Sequence, residues 1–176
     1  MNLPLEEGAK ARFTVLVVCT GNTCRSPFAE GLLRRSAAEA VRTPIQVFSA
    51  GVAAVAGAPV SHNAVVVAKE NGVDLTGKQS TPLTRDLIER ADLILTMESH
   101  HREWILSMAP AAREKAHVVT DLAPSSGLRG IKDPIGGSLE EYRRHLGQLA
   151  AVLSEALPRI ADLIDHPAPR HERDAS

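Results

Sequence analysis

Cys19 and Arg25 are separated by five residues in the run Cys19-Thr20-Gly21-Asn22-Thr23-Cys24-Arg25-Ser26-Pro27. At a strand-to-helix junction the backbone N–H groups of such a loop converge into an anion nest, and the helix dipole adds positive potential. Gly21 and Asn22 are types that tolerate left-handed backbone angles. A tetrahedral dianion is the natural guest, because Arg25 can hold two of its oxygens with a planar fork where a lysine would offer a point charge. The same field acts on Cys19. A free thiol titrates at about 8.5, and cysteines at helix N-termini or beside cations fall to about 3.5–7.5, so a thiolate nucleophile at neutral pH is expected. Ser26 can donate its hydroxyl to the sulfur, which favours the thiolate and makes it a better leaving group.

The surrounding pattern supplies the junction. Phe13 to Cys19 is a continuous apolar, β-branched run of strand length, as expected of a strand buried on both faces. Pro27 suits the first turn of a helix, and Phe28, Ala29, Leu32, Leu33, Ala37, Ala40 and Val41 fall three or four apart. Further strands are predicted over 45–50, 93–97 and 117–120. Helices are predicted over 61–71 and 84–90, then from a Ser99 cap to Pro110. Asp121 to Gly137 reads as irregular. A last helix opens with Ser138 and Glu141 at capping-box spacing, carries a stripe from Tyr142 through Leu157 to Ile164, and is expected to kink at Pro158. The alternation predicts an α/β fold: a single-domain, doubly wound open sheet of about four parallel strands, helices on both faces, with the phosphate-binding loop after the first strand. Residues 1–12 read as an N-terminal extension, 13–165 as the domain, and 166–176 as a disordered tail.

VCTGNTCRSP resembles the signature loop of the low-molecular-weight protein tyrosine phosphatases. Ser49-Ala50-Gly51 is similar to that family's Ser-Ala-Gly segment, and Asp133-Pro134, 108 residues beyond Arg25, takes the place of its Asp-Pro loop. The resemblance covers about residues 13–164. It implies a two-step phosphatase without cofactor or metal. Cys19 takes the phosphoryl group, Arg25 holds it, Asp133 protonates the leaving group, and water then releases inorganic phosphate with Asp133 as base. Thr20, Gly21, Asn22, Thr23, Cys24 and Ser26 match the phosphate-binding loop. Asn22, Ser26 and Ser49 match positions that shape it by hydrogen bonding.

Substrate choice leans on particular residues. A phosphotyrosine ring wants flat walls, yet aromatics are only 3% of the chain and the segment after Ser49 has none. Thr23 stands where tyrosine-directed relatives carry isoleucine or a similar residue, and Ile135 where they carry tyrosine. CTGNTCRSP and DPIGGS resemble the protein arginine phosphatase subgroup, so phosphoarginine on proteins is favoured, with Thr23 and Ile135 as selectivity residues. Protein tyrosine phosphatase is the alternative. Ile135 and Lys78 depart from the pattern: arginine phosphatases have Phe at the first position, and tyrosine-directed relatives often place a supporting His near the second. Arsenate reductases share the loop but need downstream cysteines, and none follows Cys24.

A non-enzyme reading is a phosphate-binding or redox-sensing module, in which Cys19 and Cys24 form a reversible disulfide. Two cysteines exclude a disulfide scaffold and a four-cysteine zinc site. His100 and His101 are adjacent and lack a third ligand at useful spacing, so they read as a solvated helix start, with no metal. Met97, Trp104 and Met108 read as core or helix-face residues. Arg143-Arg144, beside Glu140 and Glu141, reads as a solvated face. Twenty Lys and Arg against 21 Asp and Glu remove the electrostatic case for nucleic acid or a polybasic membrane patch. With no apolar run of spanning length and no leader pattern, a cytoplasmic monomer acting on phosphorylated proteins is expected.

Overall fold

The computed structural model describes residues 13–167, so the 1–12 extension and residues 168–176 of the expected tail lie outside it. β1 (Phe13–Cys19) lies between β2 (Ile45–Gly51) and β3 (Leu93–Thr96), and β4 (Ala116–Val118) flanks β3. All pairings are parallel and the order is β2-β1-β3-β4. The chain leaves β1 for one side and returns on the other, so the carboxyl end of β1 is where strand order reverses, the usual binding crevice of such sheets. The expected α/β fold is the observed one.

Alternate residues of β1 serve two cores. Val15, Val17 and Cys19 join Phe28 and Leu33 of α1 (Arg25–Ala40) and Leu146, Leu149 and Leu153 of α5 (Leu139–Asp165). Leu16 and Val18 join Ile88 of α3 (Arg85–Arg90) and Ile105 of α4 (Ser99–Met108). Two buried faces explain why the strand reads as one apolar run rather than an alternation. α2 (His62–Glu70) packs with α1 and α5 through Ala64, Val67 and Ala68.

Several expectations need correction. Glu98, not Ser99, caps α4, and His101 completes the cap from three residues on. The strand expected at 117–120 is Ala116–Val118, because β3 offers only Ile94–Thr96 as partners. The chain then tightens into a 3-10 turn at Val119–Leu122. α5 has the expected capping box and continues as one helix past Pro158, which sits on the exposed side where water can satisfy the freed carbonyl; Leu157, expected in the apolar stripe, is only half-buried. His166 belongs with α5 rather than with a tail, since its backbone N–H closes the helix on Asp162 O at 2.8 Å. Trp104 is 51% exposed, because His101 and Ile105 form the buried side of α4. Arg143 pairs with Glu70 across helices at 2.8 Å as well as with Glu140 at 3.6 Å. Among the described residues no helix is long and apolar enough to cross a membrane.

Candidate active site

The loop between β1 and α1 is shaped from beneath by buried polar side chains. Of the two residues in this loop that tolerate the left-handed conformation, Asn22 takes it, with φ of 53°, and Gly21 does not. That turn brings the Asn22 backbone N–H to within 3.3 Å of Cys19 Sγ and sends its side chain under the loop. Asn22 Nδ2 donates to Ser26 Oγ and to Ser49 Oγ, both at 2.9 Å, while its Oδ1 accepts from the Thr81 N–H at 2.8 Å. Ser49 donates to Glu30 Oε2, which also takes Lys78 Nζ at 2.6 Å; Arg34 reaches the other oxygen at 2.7 Å.

These contacts set the direction of the protons. The Glu30 carboxylate accepts from Ser49, so Ser49 accepts from Asn22, and so does Ser26. Ser26 keeps its own hydrogen for Cys19 Sγ, 2.9 Å away, with Ala50 O a more distant acceptor at 3.4 Å. Lys78, the departure noted in sequence, is thus one of two cations, with Arg34, that partner the buried carboxylate at the far end of this network.

Gly51 closes the floor. A Cβ there would stand 2.5 Å from Thr20 O, 2.8 Å from Asn22 N and 2.9 Å from Gly21 C, all backbone atoms that cannot swing aside. Gly51→Ala is therefore expected to push the loop out, costing about 1–3 kcal/mol of stability and about tenfold or more in turnover. Denaturant melts and steady-state kinetics read both, and a variant equal to wild type would show that the loop has room.

Arg25 is wholly buried. Nη1 donates to Glu98 Oε1 at 2.5 Å and Ile131 O at 2.7 Å, and Nη2 to Thr20 Oγ1 at 3.2 Å and Asp133 Oδ2 at 2.5 Å. Four of its five N–H groups are engaged with the protein. Nε is buried with no partner among the described residues, and with Nη2 it makes up the side fork of the guanidinium, an arrangement suited to an oxyanion once Nη2 is released. Asp133, 28% exposed at its side chain, rests on that fork and accepts the Ile135 N–H at 3.2 Å. Hydrogen bonds thus link Cys19, Asn22, Ser26 and Ser49 as one group and Arg25, Thr20 and Asp133 as another, and the two meet on the loop where Thr20 follows Cys19.

Thr23 lies in the loop, half-buried, while Ile135 is 61% and Val55 73% exposed. The segment leading to Val55 is tied to the loop by Val52 N–H to Cys19 O and Ala53 N–H to Thr20 O, at 3.0 and 2.9 Å. Cys19 and Cys24 are free and buried. Burial pushes the Cys24 thiol up strongly, helped by Asp133 and Cys19 and opposed by Arg25.

His101 corrects the solvated-helix-start expectation, being fully buried and bonded to Thr20 Oγ1 at 2.9 Å. It lies with Glu98 and His100 in a group whose candidate ligand atoms fall within 4.8 Å of one another. Both ring nitrogens are already engaged, by Thr20 and by the Glu98 N–H, and Glu98 holds Arg25, so this group has few free donors for a cation. Burial, then His100 and Arg25, push the His101 pKa from 6.5 down to about 3. Below pH 6.5 an unfolded chain takes a proton that the folded one refuses. His101 thus makes stability fall as pH drops from 6.5 toward about 3, by up to about 1.4 kcal/mol per pH unit. Melts of wild type and His101→Gln across that range should show a shallower acid loss in the variant; parallel curves would contradict the burial argument.

Glu98 and Glu30 are not among the candidate residues of the sequence, while His101 reads there as a solvated helix start and Gly51 only as part of the Ser-Ala-Gly likeness. Glu98 and His101 carry the spacing of a helix cap with the usual residue types exchanged, which was a usable signal. Glu30 and Arg34 have the four-residue spacing of a helix-surface ion pair, which gives no sign that Glu30 is buried.

A family model described as low molecular weight phosphotyrosine protein phosphatase matches residues 14–164. The chain belongs to this family. Its relatives include a protein-arginine-phosphatase of Geobacillus stearothermophilus, 35% identical over 149 residues, covering 84% of this chain and 96% of that one. The low molecular weight protein-tyrosine-phosphatase Etp of Escherichia coli strain K12 is also 35% identical over 149 residues, covering 84% of this chain and 95% of its own. Among solved structures, the YwlE arginine phosphatase from Geobacillus stearothermophilus matches with a TM-score of 0.74 at 33% identity, over 90% of this chain and 99% of that one. As a low molecular weight phosphatase family member, the chain has its Cys19 loop, Ser49 and Asp133 inside the matched span.

Proposed function

We propose that the protein is a metal-independent protein phosphatase that works through a cysteinyl-phosphate on Cys19 and acts on phosphoarginine in proteins. The observation that carries the chemistry is the convergence on Cys19 Sγ of the Asn22 N–H and the Ser26 hydroxyl, beside the Arg25 side fork. Two donors at the sulfur orient it for attack and, later, stabilise it as the leaving group. A phosphoryl group that takes Arg25 Nε and Nη2 displaces Asp133 from Nη2, putting the carboxyl beside the leaving group. Cys19 Sγ then forms the S–P bond as the P–N bond breaks, and Asp133 gives its proton to the departing guanidine. Water next attacks phosphorus, Asp133 takes its proton, the S–P bond breaks, and inorganic phosphate and the Cys19 thiolate result. A YwlE arginine phosphatase mutant with a phosphorylated active-site serine, whose structure matches with a TM-score of 0.73 at 33% identity, supports a covalent phosphoryl intermediate.

Arginine- and tyrosine-phosphatase relatives match this chain at equal identity, so the choice of substrate rests on residues. Thr23, Val55 and Ile135 offer no aromatic surface to a phenyl ring, while the Thr23 hydroxyl and Asp133 offer acceptors to guanidine N–H groups. Thr23→Ile removes one acceptor and adds apolar surface. It should lower the ratio of phosphoarginine to phosphotyrosine peptide turnover by about tenfold. An unchanged ratio would remove Thr23 as the selector, and a wild type that prefers phosphotyrosine would favour the tyrosine phosphatase reading. The redox-sensing alternative draws little support from a buried Cys24 whose thiol is pushed up.

A further inference from the structure

We propose that His101 is a positioning residue for the phosphate-binding loop: it donates from Nε2 to Thr20 Oγ1, which leaves the Thr20 hydroxyl hydrogen for an anion held beside Arg25. This rests on the reading above that the loop binds a phosphoryl group. His101 Nδ1 accepts the Glu98 N–H at 3.2 Å, so it carries no hydrogen, and a neutral imidazole then carries it on Nε2. The 2.9 Å contact with Thr20 Oγ1 therefore has His101 as donor. Arg25 Nη2 donates to the same oxygen at 3.2 Å. Both lone pairs of Thr20 Oγ1 are thus engaged by donors, and its own hydrogen is left for a third partner. Thr20 follows Cys19 directly and shares Arg25 Nη2 with Asp133, so its hydroxyl stands beside the guanidinium edge that the proposed function gives to the phosphoryl group.

The ring is held at both ends. Its backbone N–H is capped by the Glu98 side chain, its Nδ1 holds the Glu98 N–H, and the side chain is fully buried. Glu98 in turn takes Arg25 Nη1. One cap at the start of α4 thereby fixes the orientation of both Arg25 and Thr20, two of the groups that face the anion. Burial keeps the ring neutral through the ordinary pH range, so Nδ1 does not turn into a donor that would break the cap.

The test uses the full chain and two readouts: inorganic phosphate affinity by calorimetry, and kcat and KM with a phosphopeptide. Thr20→Val keeps the shape and removes the hydroxyl; His101→Phe keeps the ring and removes both nitrogens. Each should weaken phosphate binding and lower kcat/KM by about tenfold. Because both act through one hydroxyl, the double variant should be no more than about twofold worse than the weaker single. His101→Gln, whose amide can accept from Glu98 and donate to Thr20, should recover most of the loss. Unchanged affinity and kcat/KM in Thr20→Val overturn the proposal even if His101→Phe fails to fold. So do additive losses in the double variant, or a folded His101→Phe that binds phosphate like wild type. If wild type binds no phosphate and shows no Cys19-dependent turnover, the parent reading falls and takes this inference with it; turnover lost in Cys19→Ser but indifferent to Thr20→Val overturns this inference alone.

Discussion

Cys19→Ser is expected to reduce turnover by about 10⁴-fold or more while leaving the protein folded and able to bind phosphate. A serine hydroxyl at neutral pH is un-ionised, and neither the Asn22 N–H nor Ser26 can make it a strong nucleophile. Those same two groups still satisfy the smaller side chain, so the loop should keep its shape. Arg25, whose contacts run to Glu98, Ile131, Thr20 and Asp133 rather than to Cys19, should stay in place. Steady-state assays with phosphoarginine and phosphotyrosine peptides and a phosphate titration measure the two halves of the expectation. Retention of more than a small fraction of turnover would move the nucleophile elsewhere.

Asp133→Asn is expected to lower kcat by about 10²–10⁴-fold. The amide keeps the size and can still accept the Ile135 N–H, but it has no acidic proton for the leaving group and cannot serve as base for water. Phosphate affinity should move the other way or not at all, because the wild-type carboxylate competes with an anion for Arg25 Nη2. The loss should shrink for substrates whose leaving group departs without a proton. A variant that binds phosphate poorly and loses equally on every substrate would assign Asp133 to loop structure instead of proton transfer.

Much of this was legible in the chain itself. The unbroken apolar character of Phe13–Cys19 announced a strand covered on both sides, and the two cores meeting across β1 are the physical content of that pattern. The spacing of Cys19 and Arg25 marked the loop, and Ser49 and Asp133 were found by likeness to a family. What stayed hidden has a common cause. Glu30, Glu98 and His101 are charged or polar residues at positions that local periodicity assigns to solvent, and only tertiary contacts bury Glu30 and His101. Glu30 acquires its role from Ser49 on β2 and from Lys78 in a distant loop, and His101 from Thr20, 81 residues away in sequence. Gly51 looked like a strand terminus, and its requirement for no side chain comes from the loop that lies across it. The short β4 was overextended because nothing in its residues says that β3 stops at Thr96.

The central claim, a covalent phosphoryl group on Cys19, is tested most directly by rapid quenching. Wild-type protein is mixed with a stoichiometric phosphoarginine peptide in reducing, chelator-treated buffer, stopped within the first turnover and mapped by peptide mass spectrometry. The account predicts a phosphoryl adduct on the peptide containing Cys19 that forms before free phosphate and decays as phosphate is released. Free phosphate appearing while Cys19 stays unmodified, or an adduct on another residue, would contradict it.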